Sequence, residues 1–284
     1  MKPRDPSRRL PAFIAVGPPR TGTTWLHEVL EGHADLPRYN KETRFFCTNY
    51  AKGTAWYVRH FDPASELIRG EICPTYFCSA AARERIAKLI PNAKIICSFR
   101  EPVGRVFSLY KVKRAFARLD WSFEEALSRD PELVESGRYA HYLAAWRREF
   151  GQANVLSVFY DDLAQDPQGY LDRITDFIGI PRFQLDEQRL SRVHSSDAMS
   201  FPRNRHLTAL AADTAEWLKQ HRLERVVAAV KSSRMGGLLL GGGDKMPALS
   251  QATADQLRAS LRPEIEALEQ LTEHDLSSWK EAVR

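Results

Sequence analysis

The chain has 284 residues, of which 43% are hydrophobic and 27% are charged, a composition that excludes a disordered, collagen-like or coiled-coil protein. Lysine and arginine total 41 against 36 acidic residues, and this formal charge of +5 fits an anionic ligand, a nucleic acid or an acidic surface. The basic residues are scattered rather than gathered into a tail, so we expect no nucleic-acid partner.

The sequence contains neither a predicted membrane span nor a predicted secretory signal. Its apolar runs stay well short of about eighteen residues, and the run before Gly17 is too short for the core of a signal peptide. The cysteines lack the spacing of a structural zinc site, and a chain of this length does not need a disulfide framework. We therefore expect a cytoplasmic protein that binds no metal and keeps Cys47, Cys73, Cys78 and Cys97 reduced.

The spacing of apolar residues predicts strands that alternate with helices along the chain. Strands are predicted over residues 12–16, 94–98 and 154–160. Helices are predicted after the loop that ends at Thr24, over 80–90, from about 103 onward, over about 138–150, over 168–178 with Gly179 as the cap, over 208–232, and as two short helices over 252–262 and 263–272.

This order of elements predicts an α/β fold with three layers, α/β/α, around a central and mainly parallel sheet. Ligands bind such sheets at the carboxyl ends of the strands, so the loops that follow the three predicted strands should share one edge. No segment has the composition of a linker that would divide the chain. The sequence therefore predicts a single domain over 1–284, with a C-terminal helical part from about 208 to 284 packed on the α/β core.

The segment from Gly17 to Thr24 reads Gly-Pro-Pro-Arg-Thr-Gly-Thr-Thr and lies between a predicted strand and a predicted helix. Backbone N–H groups and the dipole at the start of a helix attract anions, and Arg20 adds a forked cation. A nucleotide-binding P-loop has the signature G-x-x-x-x-G-K-[ST], and Thr23 stands here at the position of its lysine. A P-loop kinase-like phosphotransferase is the alternative hypothesis.

A second candidate for anion binding, residues 100–110 (REPVGRVFSLY), follows the strand predicted over 94–98. Together the two segments resemble sulfotransferases that use 3′-phosphoadenosine 5′-phosphosulfate (PAPS). The first is similar to their P-loop for the 5′-phosphosulfate, and the second is similar to their 3′-phosphate motif, R-x-P-x-x-R-x-x-S-x-Y. Residues 41–46 (KETRFF), residues 71–77 (EICPTYF) and the C-terminal run are similar to segments of the bacterial and heparan-sulfate-type members.

The resemblance implies an activity, a cofactor and a set of site residues. The implied enzyme moves a sulfuryl group from PAPS to a hydroxyl or an amine of a carbohydrate, lipid or small-molecule acceptor, releases adenosine 3′,5′-bisphosphate and needs no metal. The implied cofactor-binding residues are Pro19, Arg20, Thr21, Gly22, Thr23, Thr24, Arg100, Ser108 and Lys245. Some relatives carry lysine at the position of Arg20, and Lys245 lies in a Gly-rich segment that replaces a basic loop.

Two residues are predicted to act in catalysis. Glu42 lies in the segment that the resemblance places on the acceptor side, and we expect it to take the acceptor's proton as general base. Arg20 is expected to stabilise the charge that grows on the phosphate as the S–O bond breaks. His141 and His194 are the alternative bases. His141 lies in a predicted helix of aromatic residues, where we expect a histidine packed in the core or at an interface, and His194 lies in a polar stretch. The sequence leaves the identity of the acceptor and the oligomeric state open.

Overall fold

The computed structural model describes residues 10–38, 40–116, 118–187, 189, 200–202, 205–220, 242–246 and 248–281. The chain divides into two compact units whose segments alternate in sequence. The first unit comprises Met1–Pro102, Ser136–His194 and Leu261–Arg284, and the second comprises Val103–Glu135 and Ser195–Ser260. The single domain over 1–284 stays a prediction.

A four-stranded parallel sheet forms the centre of the first unit. Its strands are β1 (Phe13–Ala15), β2 (Gly70–Ile72), β3 (Lys94–Phe99) and β4 (Val155–Phe159), and they lie in the order β2-β1-β3-β4. Because the strands run in the same direction, the loops that follow β1, β3 and β4 lie at one edge, as predicted. Strand β2 was not predicted, because three residues with Glu71 at their centre give no apolar run.

Helices and a second, two-stranded sheet complete the described chain. In chain order the helices are α1 (Thr23–Leu30), α2 (Gly53–Val58), α3 (Ala80–Leu89), α4 (Pro102–Ala115), α5 (Phe123–Arg129), α6 (Pro131–Glu135), α7 (Tyr139–Phe150), α8 (Tyr160–Gln165), α9 (Pro167–Ile178), α10 (Arg205–Gln220), α11 (Gln251–Thr272) and α12 (Ser277–Lys280). The strands β5 (Ser200–Pro202) and β6 (Gly242–Lys245) pair antiparallel. Of the helix predicted over 208–232, residues 221–232 lie outside the described residues.

The side chains of the parallel sheet alternate between two buried clusters, one on each face. Ile14 of β1 belongs to the cluster that contains Ile86 of α3. Its neighbour Phe13 belongs to the other cluster, with Leu26 of α1 and Ile174 of α9. Helices therefore cover both faces of the sheet, which confirms the predicted three-layer α/β/α fold.

Helix α11 differs from the prediction of two short helices over 252–262 and 263–272. It is one helix, with Pro263 inside it. Apolar side chains at helical spacing are buried on both sides of the proline, Leu261 before it and Ile265 and Leu268 after it. Their burial offsets the hydrogen bond that proline cannot make, so the proline does not mark a helix start here.

Within the described ranges, the helices are too short or too polar for any of them to cross a membrane.

Candidate active site

The loop between β1 and α1 is fixed by its own hydrogen bonds and by strand β3. The Thr21 hydroxyl donates to the carbonyl oxygen of Pro18 at 2.8 Å and lies 2.7 Å from the Ser98 hydroxyl, which is therefore the donor of that second bond. A Cβ on Gly17 would lie 2.3 Å from Ser98 Oγ, so a side chain does not fit there. The Thr21 hydroxyl thus ties the loop to the sheet, and a contact between Thr21 and the cofactor stays a prediction.

Two residues of this loop have a left-handed backbone, Arg20 with φ 76° and Gly22 with φ 88°. Gly22 caps α1, and its carbonyl accepts the first helical hydrogen bond from Leu26 at 3.0 Å. Pro19 precedes Arg20, and Thr23 opens the helix. Glycine adopts the left-handed region readily, whereas the same conformation costs Arg20 about 1–3 kcal/mol. The strained backbone marks Arg20 as a candidate functional residue.

Arg20 and Arg100 place two like charges at the edge of the sheet. Burial lowers the pKa of the Arg20 guanidinium, and the charge of Arg100 lowers it further. The Arg100 guanidinium lies over the ring of Tyr160, 4.6 Å from its centroid. Arg100 follows β3 and Tyr160 follows β4, so two of the loops that were predicted to share an edge do meet. Both arginines are half-buried, and their charges repel each other. A bound anion would offset this repulsion and stabilise the charged form of both side chains.

Lys41 brings a third cation to the same place. Its ammonium donates to the hydroxyl of Thr24, the second residue of α1, at 2.9 Å. Burial is the largest influence on the pKa of Lys41 and lowers it. Glu42 and Glu28 act in the opposite direction, and Arg20 lowers the pKa further. Lys41 and Arg20 therefore lie close enough to repel each other.

Glu42 adjoins these cations. Its Oε2 atom is 3.8 Å from Nε of Arg44, and its side chain is 24% exposed. Its charge raises the pKa of Lys41, the residue before it in the chain. The site therefore has a half-buried carboxylate beside Arg44 and Lys41, and the role of Glu42 as base stays a prediction.

A buried carboxylate anchors the segment that contains Glu42. Glu71, in β2, is fully buried, and its Oε1 atom accepts hydrogen bonds from the N–H of Thr43 at 3.1 Å and from its hydroxyl at 2.5 Å. Oε1 also accepts from the Tyr76 hydroxyl at 3.1 Å, and Oε2 accepts from the Tyr57 hydroxyl at 2.6 Å. Burial raises the pKa of Glu71, while these hydrogen bonds lower it. Four donors satisfy the carboxylate without a cation.

The same network holds the backbone beyond Thr43. The Thr43 hydroxyl accepts from the N–H of Phe45 at 3.1 Å, and the Tyr76 hydroxyl accepts from the N–H of Phe46 at 3.3 Å. Arg44, between them, has a left-handed backbone with φ 50°. The rings of Phe45 and Phe46 are fully buried in the core. The network therefore fixes the segment on both sides of Arg44. It thereby determines where Lys41 and Glu42, the two residues before Thr43, lie in the site.

The structure describes the other predicted residues less fully. Ser108 lies in the second turn of α4, is 7% exposed and belongs to the second unit. Lys245 ends β6, but its side chain lies outside the described residues, as does the whole of His194. His141 is exposed on α7, so it does not pack in the core, and a place at an interface stays a prediction. The buried positions of α7, which include Tyr139 and Trp146, lie on another face of the helix.

The arrangement is suited to binding an anion beside a proton acceptor. Arg20, Lys41 and Arg100 lie near the start of α1, where backbone N–H groups and the helix dipole add positive potential. Glu42 lies next to them. Among the described residues, no group of three or more histidine, cysteine, aspartate or glutamate side chains is placed to hold a metal ion.

Sequence reasoning missed three residues of this site. Tyr160 had a signal, because it lies at the end of a predicted strand whose loop was expected at the ligand edge. Glu71 also had one, because it is an acid within an otherwise apolar stretch. Lys41 had no such signal in the sequence, because no local pattern shows that residue 41 contacts the helix that begins at residue 23.

Sequence comparison identifies relatives of known class. The family described as "Sulfotransferase domain" matches residues 10–222. Heparan sulfate glucosamine 3-O-sulfotransferase 3B1 of Mus musculus is 32% identical over 194 residues, which cover 64% of this chain and 49% of the relative. Bifunctional heparan sulfate N-deacetylase/N-sulfotransferase 3 of Homo sapiens is 31% identical over 204 residues, 63% of this chain and 23% of the relative. The matches thus span about half or less of these relatives.

Structural comparison gives the same fold. A sulfotransferase from Alicyclobacillus acidocaldarius aligns with a TM-score of 0.67 and 21% sequence identity, over 96% of this chain and 99% of that chain. The parallel sheet and its covering helices are therefore those of a known sulfotransferase structure. Since the family match extends over most of the sequence, from residue 10 to residue 222, this chain belongs to the sulfotransferase domain family.

Proposed function

We propose that this protein transfers a sulfuryl group from PAPS to an acceptor and releases adenosine 3′,5′-bisphosphate. The observation that carries the proposal is the group of half-buried cations, Arg20, Arg100 and Lys41, near the start of α1. The charge of Arg100 lowers the pKa of Arg20, and the charge of Arg20 lowers the pKa of Lys41, so bound anions would stabilise the group. PAPS carries two such anions, a phosphosulfate that suits the start of a helix and a 3′-phosphate. Membership of the sulfotransferase domain family supports the same donor.

The donor, when bound, supplies the sulfuryl group and a phosphate as the leaving group. The residues proposed to hold it are Pro19, Arg20, Thr21, Gly22, Thr23, Thr24, Arg100, Ser108 and Lys245. Arg20 binds the 5′-phosphosulfate through its forked guanidinium and stabilises the negative charge that develops there. Arg100 and Ser108 bind the 3′-phosphate, which distinguishes this donor from ATP.

Glu42 is the general base of the proposed reaction. It accepts the proton of the acceptor's hydroxyl or amine while the oxygen or nitrogen bonds to sulfur. Two observations support this role: the carboxylate adjoins the cation group, and it is partly exposed, so an acceptor can reach it.

We propose a carbohydrate, lipid or small molecule as the acceptor, and a glucosamine-containing glycan is the first to test. The names of two relatives include heparan sulfate, and one is a 3-O-sulfotransferase while the other carries an N-sulfotransferase. The test is a screen with labelled PAPS in which mass spectrometry detects an added sulfate on N-sulfated heparan oligosaccharide, on its unsulfated form and on simple phenols. No transfer to any acceptor class would count against the proposed reaction.

A thermal-shift comparison tests the proposed donor against the kinase-like alternative. Adenosine 3′,5′-bisphosphate without metal should raise the Tm, because a ligand at 100 times its Kd stabilises the folded state by about 2.7 kcal/mol. ATP with Mg²⁺ should raise the Tm less, because Thr23 replaces the lysine of the kinase-type loop. A larger shift with ATP and Mg²⁺ would contradict the proposal and favour phosphoryl transfer.

We further propose that transfer needs no metal and that the protein acts in the cytoplasm. Cations and backbone N–H groups at the site supply the positive charge that a metal would otherwise provide. Cys47, Cys73, Cys78 and Cys97 are free thiols, which is the state expected in a reducing compartment. Transfer that persists in EDTA, and cell fractionation, test the two statements.

A further inference from the structure

The Lys41 ammonium lies near the position at which a nucleotide-binding P-loop carries its lysine. In that signature the last glycine is followed by lysine and then by serine or threonine. Gly22, Thr23 and Thr24 occupy these three positions, so the loop itself has no lysine. Lys41 donates to the Thr24 hydroxyl at 2.9 Å and thus reaches the same helix start from another segment of the chain.

Charges of both signs act on the Lys41 ammonium at this helix start. The start of α1 carries partial positive charge, which disfavours a nearby ammonium, and the charge of Arg20 acts in the same direction, whereas the carboxylates of Glu42 and Glu28 favour the ammonium. The hydroxyl of Thr24 accepts one hydrogen bond but does not neutralise the charge. Because an ammonium has three N–H groups, the contact leaves donors for a ligand at this helix start.

A purely structural role for Lys41 would be to tie its segment to α1. The structure already provides that anchor elsewhere, since the buried Glu71 carboxylate binds the Thr43 backbone and hydroxyl. The segment therefore has an anchor that does not depend on the contact between Lys41 and Thr24.

We infer that Lys41 binds the 5′-phosphate of the donor and acts as a catalytic residue, an inference that rests on the proposed function. As the acceptor atom forms its bond to sulfur, the S–O bond to the phosphate breaks and the electron pair stays on the phosphate oxygen. Lys41 donates a hydrogen bond to the phosphate that gains this charge. The acceptor's proton passes to Glu42, so charge and protons balance.

Binding of two nucleotides tests this placement without an acceptor. Calorimetric titration of the full chain compares adenosine 3′,5′-bisphosphate with adenosine 3′-monophosphate, which lacks the 5′-phosphate. Lys41→Met should weaken binding of the bisphosphate by roughly 10- to 100-fold, the loss expected for one hydrogen bond to a charged group. It should leave the affinity for the monophosphate unchanged. Lys41→Arg keeps the charge and should retain most of the affinity. Lys88→Ala, at an exposed position of α3, is the matched control and should bind both nucleotides like the parent.

Single-turnover transfer tests the catalytic part. At saturating PAPS, with an N-sulfated heparan oligosaccharide or the acceptor found in the screen, Lys41→Met should transfer sulfate roughly 10²- to 10³-fold more slowly, as for loss of a preorganised donor. Saturation separates this loss of rate from the loss of affinity.

The outcomes separate this inference from the proposed function. Two results would overturn the inference and leave the proposed function in place. One is an equal loss of affinity for both nucleotides in Lys41→Met, and the other is unchanged binding together with unchanged transfer. A parent protein that binds neither nucleotide would overturn both. A thermal melt verifies the fold of each variant, and Lys41→Gln replaces Lys41→Met if the latter is unfolded.

Discussion

At the scale of single residues, Glu42 has two candidate roles, as an ion-pair partner of the neighbouring cations and as the general base. Its carboxylate is 3.8 Å from the guanidinium of Arg44 and adjoins Lys41. As a partner of Arg44, whose side chain is exposed, it would contribute little to stability, because ion pairs at the surface contribute at most about 1 kcal/mol. As the general base it would instead determine the rate of the chemical step.

Replacing Glu42 by glutamine separates the two roles. Glu42→Gln keeps the size of the side chain and removes the proton acceptor, so turnover should fall by roughly 10²- to 10⁴-fold. Affinity for adenosine 3′,5′-bisphosphate, measured by titration, should stay close to that of the parent. The exposed Glu31, directly after α1, provides the control Glu31→Gln, which should turn over normally. Normal turnover in Glu42→Gln would mean that the base lies elsewhere, with His194 as the next candidate.

At the scale of elements, the segment 41–46 gains its shape from strand β2. Thr43 is 1% exposed, and its hydroxyl both donates to Glu71 and accepts from the N–H of Phe45. A segment with a left-handed arginine at its centre does not hold this conformation by local preference. The buried carboxylate therefore decides where Glu42, the proposed general base, is placed.

A set of matched substitutions tests this link between the network and the site. Thr43→Val removes the hydroxyl, should lower the free energy of unfolding by about 1–3 kcal/mol and should also lower kcat. Thr43→Ser keeps the hydroxyl and should recover most of the free energy of unfolding and most of kcat. Tyr57→Phe removes the donor to the other oxygen of Glu71, so it should lower stability with little change in kcat. Equal effects of Thr43→Val and Tyr57→Phe on kcat would show that the network only supports the fold.

At the scale of the whole molecule, His27 links stability to pH. Its Nε2 atom is buried and, within the described residues, makes no hydrogen bond. Burial lowers the pKa of His27 from its ordinary value of 6.5 to about 4, the charge of Lys41 contributes to the decrease, and Glu28 opposes it. Above pH 6.5 the imidazole is neutral in both states. As the pH falls from 6.5 toward 4, the unfolded chain takes up the proton first, so the free energy of unfolding decreases.

Denaturant unfolding as a function of pH measures this effect. His27→Gln removes the titrating group, so the decrease between pH 6.5 and 4 should become shallower by at most about 1.4 kcal/mol per pH unit, the value for one proton. His141→Gln, at the exposed histidine of α7, is the control and should keep the slope of the parent. An unchanged slope in His27→Gln would show that His27 does not bind protons differently in the two states.

The sequence by itself determined the parts of this protein that local patterns encode. Apolar runs bounded by turns predicted β1, β3 and β4, and the parallel order of such strands placed Arg20 and Arg100 at one edge of the sheet. The glycines and prolines that follow residue 16 predicted the tight loop between β1 and α1. These features depend on residues a few positions apart, so a single sequence carries them.

Only the tertiary structure decided which distant side chains complete the site. Lys41 and Thr24 are 17 positions apart, and Thr43 and Glu71 are 28 apart. Contacts of this kind depend on how the connecting segments pack, and β2, which carries Glu71, is too short and too polar at its centre to be predicted. Packing also kept α11 continuous through Pro263, against the local preference of proline. The physical reason is common to these cases: burial and hydrogen bonds formed across the fold outweigh local propensities that differ by about 1–3 kcal/mol.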